Sequence, residues 1–198
     1  MSQAIIRNHL EALASLASVM AGRSEAIARL AERYAGALRG GGTLFFAGNG
    51  GSAAHAQHIA AEYVVRLGRT RRPFRALALS VDTSVVTAAG NDLGFAEVFA
   101  RQIEALAGPG DVVVLVSTSG QSENLIRAAE AARRVGAAVV ALLGRGGGAL
   151  AALCDDAVII PSDESSWIQE LQLAIDHTIV LSVERELAPC FRWPASRS

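Results

Sequence analysis

The stretch Thr43-Leu-Phe-Phe-Ala-Gly48-Asn49-Gly50-Gly51-Ser52 decides the fold. Its first half, Thr43–Ala47, is a continuous apolar run, as expected of a strand covered on both faces. Its second half is a glycine turn that passes at once into a helical pattern, Ser52–Leu67. Glycines let the backbone approach a ligand closely, and the start of a helix offers unpaired N–H groups to an anion. The same rhythm returns downstream. Apolar runs at Arg75–Leu79, Asp111–Val116, Ala137–Leu143 and Asp156–Ile160 alternate with helical segments such as Ser122–Val135. A last helix is predicted from about Ser165 to Leu187. This alternation predicts an α/β fold with a five-stranded parallel sheet, helices on both faces and right-handed crossovers. In such a sheet a ligand site lies beyond the carboxyl ends of the strands.

Upstream, Ile5, Ile6, Leu10, Leu13, Leu16 and Met20 recur at helical spacing until Gly22. Ser24 opens a second pattern through Ile27, Leu30, Tyr34 and Leu38, ending at Gly40-Gly41-Gly42. These two helices are expected to pack on the sheet or on a partner subunit. Without repeats or a linker, residues 1–198 read as one domain: N-terminal helices over 1–40, an α/β core over 41–187 and a loose tail over 188–198.

With 198 residues, 51% of them hydrophobic, the chain can bury one sizeable core. A net charge of −1 gives no reason to expect nucleic acid or an anionic membrane as partner. All 18 basic residues are Arg. The lack of Lys excludes Schiff-base aldolase and pyridoxal chemistry, and with them a Walker P-loop. Cys154 and Cys190 stand apart and read as reduced thiols. No apolar run is long enough to span a membrane, and the N-terminus lacks the pattern of a signal peptide, so a cytoplasmic protein is expected. Arg66, Arg69, Arg71, Arg72 and Arg75 crowd one segment. Without interleaved aromatics they read as a solvated loop or subunit contact rather than a nucleic-acid patch.

The third apolar run ends in Ser117-Thr118-Ser119-Gly120-Gln121-Ser122 and again enters a helix. One hydroxyl suffices for a helix cap; four within six residues favour a phosphate cradle that needs no lysine. On the helix after the glycine turn, His58 and Glu62 are spaced i, i+4, about 40° apart around the axis, close enough to share a metal or a substrate. His55 lies on the same arc, so spacing does not choose between the histidines. On the last helix Gln169 and His177 are two turns apart, about 80° around. Gly90-Asn91-Asp92 offers a carboxylate to sugar hydroxyls, or serves as an ordinary turn. Gly48, Gly50 and Ala53 also fit the dinucleotide fingerprint, with Asp82 as the only acidic candidate near the second strand's end.

Together these stretches resemble the sugar isomerase (SIS) domain and, within it, the phosphoheptose isomerase family. The resemblance is carried by Gly48-Asn-Gly-Gly-Ser52, Gln57-His58-Ile-Ala-Ala-Glu62, Gly90-Asn-Asp92, Ser117-Thr-Ser-Gly-Gln-Ser122, and Ile168-Gln169-Glu170 followed by His177. It implies zinc held by His58, Glu62, Gln169 and His177. The sugar would meet Asn49, Gly50, Gly51, Asn91, Asp92 and Gln169, and the phosphate Ser117, Thr118, Ser119 and Ser122 with Ser52 nearby. It further implies a homotetramer with active sites between subunits. Two positions depart from the family: His55 stands where Asp is common, and Ser166-Trp167 where Arg is common.

The reaction so implied converts sedoheptulose 7-phosphate into D-glycero-D-manno-heptose 7-phosphate through an enediol, with Glu62 and His177 as acid–base residues. Glu62 is then either base or metal ligand. The alternative is a non-catalytic protein of the same fold that binds a phosphosugar or a replication initiator; retention of His58, Glu62, Gln169 and His177 favours the enzyme.

Overall fold

Five strands set the frame in the computed structural model, which describes residues 2–187. The strands are β1 (Leu44–Gly48), β2 (Ala76–Ala78), β3 (Val112–Ser117), β4 (Ala138–Leu143) and β5 (Asp156–Ile159). All pair in parallel, in the order β2-β1-β3-β4-β5. Every residue of β1 and β3 is buried, which is why their sequences are apolar throughout rather than alternating. Each strand falls within two residues of its predicted limits. The predicted tail, with Cys190, lies outside the described residues.

Seven helices surround the sheet: α1 (Ser2–Ala21), α2 (Ser24–Arg39), α3 (Gly51–Val64), α4 (Thr83–Asp92), α5 (Ala100–Leu106), α6 (Glu123–Val135) and α7 (Ser165–Leu187). The alternating faces of the strands sort the core into two layers. On one side Phe46, Val114 and Val140 pack with Tyr34 of α2, Ile59 and Tyr63 of α3, and Ile175 and Ile179 of α7. On the other, Phe45, Leu115 and Leu143 pack with Ile103 of α5 and Leu125 of α6. Fully burying one such side chain contributes about 1.5–3 kcal/mol. Helix α5 went unpredicted, because seven residues give fewer than two full periods of apolar spacing.

Asp82 caps α4, its Oδ1 accepting from Val85 N at 3.0 Å. That use removes the acidic residue the dinucleotide pattern would need. The arginine cluster divides. Arg66, Arg69, Arg72 and Arg75 are exposed, as the solvated-loop reading expects, while Arg71 is 4% exposed. Its guanidinium lies 3.9 Å over the Phe74 ring. It also donates to Glu184 Oε1 and to the carbonyls of Glu62, Tyr63 and Arg72. Among the described residues no helix is long and apolar enough to cross a membrane.

Candidate metal centre and active site

The chain runs outward from β1 to β2 and then returns to β3 on the other side of β1, so the sheet opens between the carboxyl ends of β1 and β3. Both glycine- and serine-rich loops sit there. Their side chains tie the opening together: Asn49 Nδ2 donates to Asn124 Oδ1 at 2.9 Å, and Asn124 Nδ2 returns a bond to Asn49 Oδ1 at 2.8 Å. Each amide has two N–H groups and two lone pairs, so the reciprocal bond leaves one of each for a ligand. Nothing in the sequence marked Asn124; it is one polar residue in a helix start.

The α3 end of the opening is built on glycine. Gly50 has φ +55°, a left-handed value that side chains disfavour. A Cβ on Gly51 would stand 2.7 Å from Gln169 Nε2, so only glycine lets the α7 amide lie this close to the start of α3. In the second loop, Ser117 Oγ accepts from Gly120 N at 3.0 Å and Ser119 Oγ from Gln121 N at 3.2 Å. Ser122 stands at the N-cap position of α6 without a side-chain capping bond. Thr118 and Ser119 are half-buried, and Ser52 is buried at the first turn of α3. From behind, buried Gln172 donates to the carbonyls of Leu142 (2.8 Å) and Ser117 (3.2 Å), fixing the ends of β4 and β3.

Beside these loops, α3 and α7 bring three ligand atoms together. His58 Nε2 lies 3.1 Å from His177 Nε2 and 3.2 Å from Glu62 Oε1, and His177 Nε2 lies 3.4 Å from the same oxygen. A tetrahedral ion with bonds of about 2.0–2.1 Å has ligand atoms roughly 3.3–3.4 Å apart, so this triangle has the dimensions of one face of such a shell. His58, Glu62 and His177 therefore form a cluster able to hold a metal ion. Glu62 Oε2 is buried without a hydrogen-bond partner. Gln169 and His58 share a pocket of about 410 Å³ with Gly51, Ala54, His55 and Glu170.

His55 lines that pocket but is not one of the three. Its Nε2 bonds Asp176 Oδ2 at 2.7 Å in the helix interface. Burial pushes the Asp176 carboxyl above the usual range, opposed by the hydrogen bond and charge of His55 and by His177. Trp167 reaches α1: its indole Nε1 donates to His9 Nδ1 at 2.9 Å, which leaves the His9 Nε2–H facing Glu170 Oε2 at 3.3 Å. Asn91 and Asp92 are not gathered with the rest. They occupy the exposed last turn of α4, with Asn91 Nδ2 donating to Asp92 Oδ1 at 2.7 Å.

Comparison with known proteins gives this geometry a family. The model for the SIS domain matches residues 9–144. The chain is 46% identical over 182 residues to the phosphoheptose isomerase of Akkermansia muciniphila, covering 92% of this chain and 93% of that protein. It is 49% identical over 177 residues to that of Solidesulfovibrio magneticus, covering 89% and 86%. The structure of phosphoheptose isomerase from Neisseria gonorrhoeae superposes with a TM-score of 0.88 at 36% identity, covering 93% of this chain and all (100%) of that one. The chain belongs to the SIS-domain family and, within it, to the phosphoheptose isomerases.

Proposed function

We propose that the chain is an aldose–ketose isomerase that converts sedoheptulose 7-phosphate into D-glycero-D-manno-heptose 7-phosphate. The observation that carries the reading is the 3.1–3.4 Å triangle of His58, Glu62 and His177 beside two anion-suited helix starts. Relatives of this chain across its length bear the name phosphoheptose isomerase.

The phosphate is assigned to Ser117, Thr118, Ser119 and Ser122, with Ser52 at the first turn of α3, where backbone N–H groups and hydroxyls replace the absent lysine. Asn49, Gly50, Gly51 and Gln169 hold the sugar; Asn91 and Asp92, exposed on α4, meet it from an adjoining subunit or on closure of that helix. Zinc held by His58, Glu62, Gln169 and His177 would supply Lewis acidity to the carbonyl.

The protein's own groups move the protons. A base removes a proton from C1 of the ketose, the electron pair forms the C1–C2 double bond of the enediol, and the C2 carbonyl oxygen is protonated. Delivery of a proton to C2 and loss of one from the C1 hydroxyl then leave the aldehyde. Glu62 and His177 stand 3.4 Å apart, so a proton taken by one is within a hydrogen bond of the other. The enzyme is assigned to the cytoplasm as a homotetramer. In support, Ile5, Ile6 and Leu10 of α1 are 64%, 60% and 58% exposed, an apolar stripe suited to a partner subunit.

The test is NMR of sedoheptulose 7-phosphate with zinc-loaded protein in deuterated water. An aldose carrying deuterium at C2 is expected; the absence of both product and exchange would overturn the assignment.

A further inference from the structure

One buried pair takes no part in the chemistry assigned above. His55 Nε2 and Asp176 Oδ2 are 2.7 Å apart, with side chains 7% and 0% exposed. His55 lies on α3 one turn before His58, and Asp176 lies on α7 immediately before His177. The bond therefore joins the two helices that assemble the cluster, at the level of the cluster.

It does so at a cost. A buried polar pair is repaid only when its remaining hydrogen-bonding capacity is used, and here His55 Nδ1 and Asp176 Oδ1 have no partner. The hydroxyls of Tyr34 and Tyr63, in the same core layer, are also buried without one. Two aliphatic side chains would fill this interface without the losses at His55 and Asp176. What they would not supply is direction, because apolar contact is non-directional whereas a hydrogen bond fixes both distance and angle. Direction matters at this place. Rotating α7 by about 10° moves an atom roughly 6 Å from its axis by roughly 1 Å, beyond the tolerance of a metal shell.

We propose that His55–Asp176 is a positioning pair for the metal cluster: it sets the rotation of α7 against α3 and so holds His58, Glu62 and His177 at the spacing of one tetrahedral face. The inference rests on the reading of that cluster as a zinc site. Neither residue touches the ion.

The test is zinc affinity, by competition with a chromophoric chelator, measured beside the thermal midpoint. The natural chain comes first: no zinc binding there overturns the metal reading and this inference with it. Given binding, H55L/D176L is expected to hold zinc about tenfold more weakly, the effect of removing a residue that orients metal ligands. Its thermal midpoint is expected to be unchanged or higher. The reversed pair H55D/D176H, which keeps the bond, is expected to bind as the natural chain does. Full affinity in H55L/D176L overturns the positioning role and leaves the zinc reading standing. A reversed pair as weak as the aliphatic one also overturns it. So does an aliphatic variant that fails to fold, since the pair would then be structural.

Discussion

Two buried polar pairs link α7 to α3 and the loop that leaves it, and they are built oppositely. Glu184 near the end of α7 accepts from the backbone N–H groups of Leu67, Gly68 and Arg69 and from Arg71 Nε. Arg71 spends its other donors on the carbonyls of Glu62, Tyr63 and Arg72. Both side chains are 1% exposed, yet neither has a buried atom without a partner. His55–Asp176, two turns nearer the site, leaves an atom orphaned on each residue. The first pair ends a helix and satisfies a loop. The second satisfies nothing beyond itself, and its place is beside the candidate metal cluster. Full satisfaction marks the first as a structural pair; the unpartnered atoms of the second are what motivates its proposed positioning role.

The largest effect is expected from Arg71→Ala. It takes the cationic partner from the buried Glu184 carboxylate and a side-chain donor from three carbonyls, and should lower unfolding stability by about 3–5 kcal/mol in urea titration. A loss under about 1 kcal/mol would erase the contrast between the pairs.

Acid titration tests the same clamp. Burial alone would raise the Glu184 carboxyl; the three backbone N–H groups and Arg71 overcome it and hold it below the usual range. Between the lowered folded value and the ordinary one, about 4.3, the unfolded chain binds the extra proton. The stabilisation is therefore complete above that range and is lost as pH falls through the folded value. E184Q should start less stable near neutrality and lose less stability than the natural chain between about pH 6 and pH 3.

Smaller changes in stability are expected at the site. Gly51→Ala puts a methyl 2.7 Å from Gln169 Nε2. It should cost under about 1 kcal/mol of stability while raising KM for the ketose phosphate, because the half-buried amide at the end of a flexible side chain gives way more easily than the helix. Smallest of all is the stability change in H55L/D176L: zero within about 1 kcal/mol, or a gain, by the same urea measurement.

Much of this was legible in the sequence for a simple reason. Strands covered on both faces are apolar throughout, so β1, β3 and β4 announced themselves, and glycine and hydroxyl runs marked the strand ends at the opening of the sheet. His58 and Glu62 could be paired because four residues make one helical turn. The contacts that escaped are those between distant segments. His55 and Asp176 are 121 positions apart, and spacing along one helix says nothing of such a partner. Arg71 looked like its four neighbours, since a cluster of like charges does not reveal which member turns inward. Gln172 and Asn124 carried no signal beyond being polar residues on apolar faces.

The distance along the chain between the two helices also has a consequence in time. His58 and His177 are separated by 119 positions. A ribosome adding about 5–20 residues per second needs roughly 6–24 s to pass from one to the other. Throughout that interval Leu30, Tyr34, Ile59 and Tyr63 await the α7 residues that cover them. The nascent chain thus carries an uncovered apolar face, and only part of the candidate metal cluster, until α7 has been made. Any truncation before α7 is both inactive and exposed to aggregation.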